Sequence, residues 1–222
     1  LQQGAVLVDP NDWGTEPRVL VYLEHEVVDG RADETGQRRV VSKRFEYVEI
    51  DAAGAVSDAG YHPYIDYRSP SPEEFEAITD VLDAPWTRVN LTDVAQRHAA
   101  AVNAPKHLAE VETRVHARVD ATGAAVEKRL SEEIRYWDAQ ALKLKDAELA
   151  GKRNAKLNSA RARQRADEAA ERLERRLAEL ALERKISARQ PRVTGGGLLL
   201  PAGPLASRTG GAPPAPAPHP QP

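Results

Sequence analysis

Residues 124–190 are built mostly from Ala, Leu, Glu, Lys, Arg and Gln, with one glycine, Gly151, and no proline. Such side chains lose little rotamer freedom in a helix, so this run specifies long exposed helices with a thin apolar seam. Leu130, Ile134, Trp137, Ala141 and Leu144 step by four, three, four and three residues and keep one apolar stripe. Ala166, Ala170, Leu173, Leu177 and Leu180 form a second stripe, out of phase with the first by one residue. Between them lie Gly151 and Asn158, where the arm either folds back as an antiparallel hairpin or continues through a register shift. The hairpin is favoured, because a lone helix leaves both seams uncovered.

The first half differs in kind. Phe, Tyr and Trp make up 5% of the 222 residues and cluster before residue 87, so an aromatic core forms mainly there. Arg18–Val28 and Arg38–Asp51 are rich in β-branched and aromatic residues and read as strands, joined by a polar linker carrying Gly30 and Gly36. AVLVDP adds a possible third strand, and a hairpin this small needs helices or an upstream domain over one face. Residues 51–60 read as a turn, and YHPYIDYRSPSP as an extended aromatic connector. Ser71 with Glu74 forms a capping box for a helix running to about Leu82, and a second helix starts near Thr92, with Pro105 interrupting or ending it. VTGGGLLLP reads as one short strand, and the Pro/Ala/Gly tail as unfolded.

The expected fold is therefore α+β: a small antiparallel β hairpin or sheet domain, then long α-helices forming a coiled-coil-like arm, then a disordered tail. By segment this gives a strand-rich docking domain (1–69), a helical region (70–123), the long arm (124–190, turning near 151–158), a short strand-like segment (191–206) and the tail (207–222).

Net charge of −3 conceals a gradient. Residues 1–100 carry about 19 acids against about 9 bases, and residues 152–192 about 13 bases against about 6 acids. Lys152, Arg153, Lys156, Arg161, Arg163 and Arg165 fall where acids are almost absent, a pattern suited to phosphate backbone or to an acidic partner or patch of the same chain. Beyond Asp167, Glu and Arg alternate at helix-pair spacing and read as a solvated, salt-bridged face.

Catalytic groups do not assemble in the sequence. His98, His107 and His116 recur every nine residues, half a helical turn apart, and read as scattered surface or capping histidines, as does His25, which lacks the second histidine of a zinc-helix motif. Gly151–Lys152 lacks the upstream glycine and the hydroxyl residue of a phosphate loop, those places being held by Asp146 and Arg153. Glu132 and Glu133 point about 100° apart on a helix and do not converge, leaving a packing helix with Ile134 and Trp137 buried. No catalytic, cofactor or metal residue is assigned. Absence of cysteine excludes disulfides and thiolate metal sites and makes a reducing cytoplasm the default. No apolar run reaches the roughly 20 residues of a membrane span, and a chain without Met that opens on GAVLVDP reads as cut from a longer polypeptide.

The ordered set RLSEEIRYWD, LKLKDAELAGK, LNSARARQRADE, RLERRLAELALERKIS and PRVTGGGLLLPAG resembles the region after the motor in bacterial SNF2-type helicases, the RapA-like and DISARM-associated group of DEAD/DEAH-box proteins. The similarity spans most of Gly4 to Gly203 and rests on the order of the pieces. It implies a non-catalytic C-terminal accessory segment of an ATP-dependent DNA helicase or translocase, for some members in phage defence. ATP and magnesium would then sit in upstream motor lobes whose motifs are not in this chain, with duplex DNA and defence-complex subunits as further partners. The competing expectation is a self-contained structural or adaptor protein that dimerises through the coiled arm.

Overall fold

The computed structural model describes residues 4–151 and 155–209, with the side chains of residues 155–157 excluded. The tail expected to be unfolded lies almost wholly outside the described residues. The fold is mixed α+β. Its strands are β1 (Ala5–Asp9), β2 (Arg18–Ala32), β3 (Arg38–Asp51), β4 (Val56–Asp58), β5 (Ser187–Ala188) and β6 (Arg192–Pro201). Its helices are α1 (Pro72–Glu76), α2 (Thr79–Leu82), α3 (Leu91–His98), α4 (Ala104–Leu149), α5 (Ala155–Arg184) and α6 (Ala202–Thr209).

Strand order is β1-β6-β2-β3-β4, with β5 also on β2. The β6 strand pairs antiparallel with β2 but parallel with β1, so the sheet is mixed where an antiparallel one was expected. Glycine permits the contact with β1: a Cβ on Gly197 would lie 2.6 Å from the Ala5 carbonyl oxygen, so only glycine lets the two backbones meet there. The β2–β3 connection closes on a short turn in which Asp33 Oδ1 accepts from the amides of Thr35 and Gln37. Val56–Asp58 adds a strand within what reads in sequence as a turn, by antiparallel pairing with Val48–Ile50.

The chain forms two compact units that are not contiguous in sequence. One takes residues up to Glu26, Lys43–His107 and those from Ala188 onward; the other takes Val27–Ser42 and Leu108–Ser187. The core of the first gathers Val19, Val21 and Leu23 of β2, Val48 and Ile50 of β3, and Leu198 and Leu200 of β6 against Ile78, Leu91, Ala95, Ala99 and Leu205. Residues two apart on each strand share this face, as a pleated strand requires.

Two sequence expectations change here. The Ser71 capping box is present, with Glu74 reaching back to the Ser71 amide at 2.7 Å, but its helix stops at Glu76 and α2 begins at Thr79. Between them Ile78 leaves helical geometry (φ −111°, ψ 10°) and is buried in the core, so tertiary packing breaks what local capping began. Pro105, in turn, neither interrupts nor ends the second helix. Backbone from Leu91 to Leu149 stays helical, and a π-helical turn, Ala99–Asn103, stands just before the proline. A π turn widens the ladder where the ring would clash with the carbonyl four residues back, so helix and proline coexist.

In the second unit, α4 and α5 form an antiparallel pair. Glu148 meets Ser159, Asp138 meets Arg163, Glu133 meets Arg172 and Asp120 meets Arg184, one index falling as the other rises. The first helix of the pair ends at Gly151, whose φ of 75° is a left-handed helix end that an L side chain resists. Small residues at Ala162, Ala166 and Ala169 are buried on α5, while Ile134 and Trp137 of α4 are half-buried where burial was expected. A two-helix seam has solvent at both edges and covers such bulky groups only in part. Near the base, Val27 of β2 packs with Val111, Val115, Val119 and Leu180.

Candidate functional site

Three features combine polar chemistry or exposed apolar surface beyond what packing needs: the basic end of the hairpin, an aromatic patch on the sheet, and a buried histidine pair.

The hairpin end carries a concentration of positive charge. Residues 143–165 hold eight Lys and Arg against two acids, Asp146 and Glu148, and the hairpin places Lys143 and Lys145 of α4 at the same end as Arg161, Arg163 and Arg165 of α5. The six expected nucleic-acid contacts do not share one environment. Lys152 and Arg153 lie outside the described residues, as does the side chain of Lys156. Arg161 is exposed. Arg163 bonds Asp138 at 3.0 Å and Asp167 at 3.2 Å, acids that are distant or following in sequence but adjacent in space. Arg165 lays its guanidinium 4.4 Å from the ring centre of Trp137, a cation–π contact across the hairpin that still leaves it exposed. Arg163 and Arg165 thus hold the arm together as well as charging it.

The aromatic patch lies on the sheet face opposite the first unit's core. Tyr22 of β2 and Tyr47 of β3 meet edge-on with ring centres 5.3 Å apart, and Tyr64, from the 3-10 turn Pro63–Asp66, packs against Tyr47 with its ring tilted by 50° and the centres 5.4 Å apart. His62 enters that turn with φ 53°, left-handed backbone that a non-glycine residue adopts at a cost. The segment read in sequence as an extended connector is therefore bent, and Tyr64 within it packs on Tyr22 and Tyr47 of the sheet. Burial, with the bond to Tyr64, pushes the Tyr47 hydroxyl up to about 12. Around this cluster Tyr61 is 85% exposed, Ile65 70% and Phe45 55%.

The histidine pair is the feature least visible in sequence. His25 shares the core face of β2 with Leu23, and its Nδ1 lies 2.8 Å from His107 Nδ1 on α4, the rings 0% and 1% exposed. These two are buried partners, against the expectation of surface or capping histidines. The other two fit it: His98 bonds Asp58 at 3.2 Å and His116 lies 3.2 Å from the Arg184 carbonyl at the end of α5. On β3, Glu46 is buried with Oε2 unpartnered, and Asn103 donates to Asp58 at 2.9 Å while its Oδ1 finds no partner. Burial raises the Glu46 carboxyl above the usual range and lowers His25, with Arg44 adding to the second effect. The signal in sequence was the step Ala95, Ala99, Asn103, His107, Val111, Val115 and Val119, a four-residue rhythm that places Asn103 and His107 on a buried stripe.

Among the described residues no group of three or more His, Asp or Glu is disposed to hold a metal ion, and no helix is long and apolar enough to cross a membrane. Comparisons with family models, with curated proteins and with solved structures found no match.

Proposed function

We propose that this chain is a non-catalytic accessory segment of an ATP-dependent SNF2-type DNA translocase, in which the sheet docks on a motor lobe and the helical arm steadies duplex DNA. The observation that carries the reading is the hairpin end, where Lys143 and Lys145 of α4 lie at the same end as Arg161, Arg163 and Arg165 of α5, within a stretch of sequence, 143–165, that holds eight Lys and Arg against two acids. A polyanion with regularly spaced charge is the ligand such a surface favours, and each phosphate contact adds to the salt dependence of binding. The exposed Phe45, Tyr61 and Ile65 support the docking half, since large apolar side chains left in water beside a charged surface favour an interaction site. The order of segments supports the choice of motor class. Chemistry then belongs to the motor lobes, with ATP and magnesium, and a role in phage defence follows the same resemblance.

Duplex binding by this chain, titrated against salt, tests the DNA half. Lys143→Glu with Arg161→Glu should weaken binding to all sequences alike and reduce the slope of log K on log salt by about 2, roughly one per phosphate contact. These positions leave Arg163 and Arg165 in their structural contacts. An unchanged slope overturns the DNA contact. For the docking half, Tyr61→Ser with Ile65→Ser should abolish association with separately expressed motor lobes while leaving DNA affinity intact.

A further inference from the structure

We infer that the chain's own proline-rich run, Pro213–Pro222, docks in the same molecule on the trough that Tyr22, Tyr47, Tyr64 and Gly195 form on the sheet face opposite the first unit's core.

Two strands and a turn build the trough. Tyr22 of β2 pairs across the ladder with Gly195 of β6, and cross-strand partners share a face, so the Tyr22 ring stands beside backbone that carries no side chain. Crowding does not force that glycine: a Cβ on Gly195 would meet Tyr22 Cδ2 at 3.5 Å, an ordinary contact, and its backbone is not left-handed. Tyr47 and Tyr64 continue the wall, their ring centres 5.3 and 6.5 Å from that of Tyr22. The three planes are tilted by 50–75° to one another, which leaves ring faces unstacked for an apolar ligand.

This chemistry suits proline. The Tyr47 and Tyr64 hydroxyls bond each other, and because one donates, the other keeps its own O–H to donate outward. Burial holds the Tyr22 and Tyr47 hydroxyls protonated beyond the ordinary phenol range, so they stay donors. A polyproline II ligand makes no internal hydrogen bonds and offers free carbonyl acceptors, while its flat rings pack on aromatic faces. Charge on this face of β2 is already engaged, Glu24 being bound by Lys43 at 2.7 Å and by Arg192 at 3.3 Å. An uncharged occupant therefore fits better than a charged one.

Such an occupant is present in the chain. Pro213–Pro222 holds six prolines in ten residues, and residues 210–222 contain no Asp, Glu, Lys or Arg. They lie outside the described residues and follow α6, whose Leu205 is packed in the core of the same unit. Thirteen residues at about 3.1 Å each span about 40 Å, against a radius of gyration of about 13 Å for a unit of about 100 residues. That length reaches from α6 to the far face of the sheet. A tethered proline-rich ligand loses little freedom on binding and is held at high effective concentration, so a shallow site suffices. The inference goes beyond the docking reading and needs no motor lobe. Phe45, Tyr61 and Ile65, which that reading uses, are not part of the trough.

The chain has no cysteine, so Gln221→Cys gives a unique attachment point for a nitroxide on the full chain. Paramagnetic relaxation read by NMR at amides 20–24, 45–49 and 193–196 should then be several-fold faster than at α3, which packs on the opposite face of the sheet. Gly195→Val fills the shelf with a side chain that strands favour, and should bring those amides down to the α3 level with the fold unchanged. Pro216→Gly with Pro218→Gly should do the same from the side of the ligand. In a mixture of nitroxide-bearing chain with isotope-labelled chain that lacks the nitroxide, the labelled chain should show no enhancement. Equal relaxation on the two faces, enhancement that survives either variant, or enhancement passed to the other chain in the mixture would each overturn the inference.

Discussion

Two glycines with opposite roles show how finely single residues are fitted. Gly197 approaches the Ala5 carbonyl so closely that any Cβ meets backbone, which cannot swing aside. Gly197→Ala should cost about 1–3 kcal/mol, as overpacking does, and loosen β1 from β6. Gly123, inside α4, has helical backbone and open room, its nearest neighbour being Leu180 Cδ1 at 3.9 Å. Gly123→Ala should therefore stabilise the chain by about 0.5–1 kcal/mol. Urea unfolding of both variants checks the signs, and two changes in the same direction would refute the contrast. Glu46 offers a third residue-scale outcome. Glu46→Gln removes a buried charge whose proton affinity folding has raised, so the variant should be more stable near neutrality, with the advantage shrinking as pH falls and the native carboxyl protonates.

At the scale of elements, the hairpin is held by a narrow seam and a few anchors. Among the described residues of α5, Leu180 is the deepest large apolar side chain, packed with Val27 and with Val111, Val115 and Val119 of α4. Leu180→Ala should cost about 2–4 kcal/mol, the sum of lost burial and the cavity left behind. Circular dichroism during chemical unfolding will read this as an earlier loss of helix. The ion pairs across the seam contribute less, since most are solvent-exposed and such pairs are worth at most about 1 kcal/mol each. Glu183 differs from these: it is a buried carboxylate reached from α4 by Arg118 at 3.7 Å, from β2 by Arg31 at 2.9 Å and from its own helix by Arg176 at 3.2 Å. Seam positions were legible in sequence because helical spacing marks them. Their partner was not, because either seam could equally face its own chain or another copy. The Ser71 cap was legible for the same local reason, and the break at Ile78 was not, because a buried core position overrules an intact cap.

For the whole molecule, the two seams face each other within one chain, as the monomeric reading requires. Sedimentation at micromolar concentration should give the mass of one chain; a concentration-dependent dimer would favour the adaptor reading instead. Charge is likewise a property of the folded chain. The basic stretch was visible in sequence, but the hairpin decided that Lys143 and Lys145 share an end with Arg161, Arg163 and Arg165, and that Asp138 offsets Arg163. What the sequence by itself determined is what depends on near neighbours along the chain: strands in the first half, helices in the second, the caps, the glycine turn and the mixed α+β class. Only the tertiary structure decided which residues eighty or more apart would meet. His25 and His107 became a buried pair, β6 entered the sheet between β1 and β2, and Pro105 was absorbed within a helix. Local preferences amount to tenths of a kcal/mol to about 1 kcal/mol per residue, and burying a core side chain gains more than that, so long-range packing has the last word wherever the two disagree.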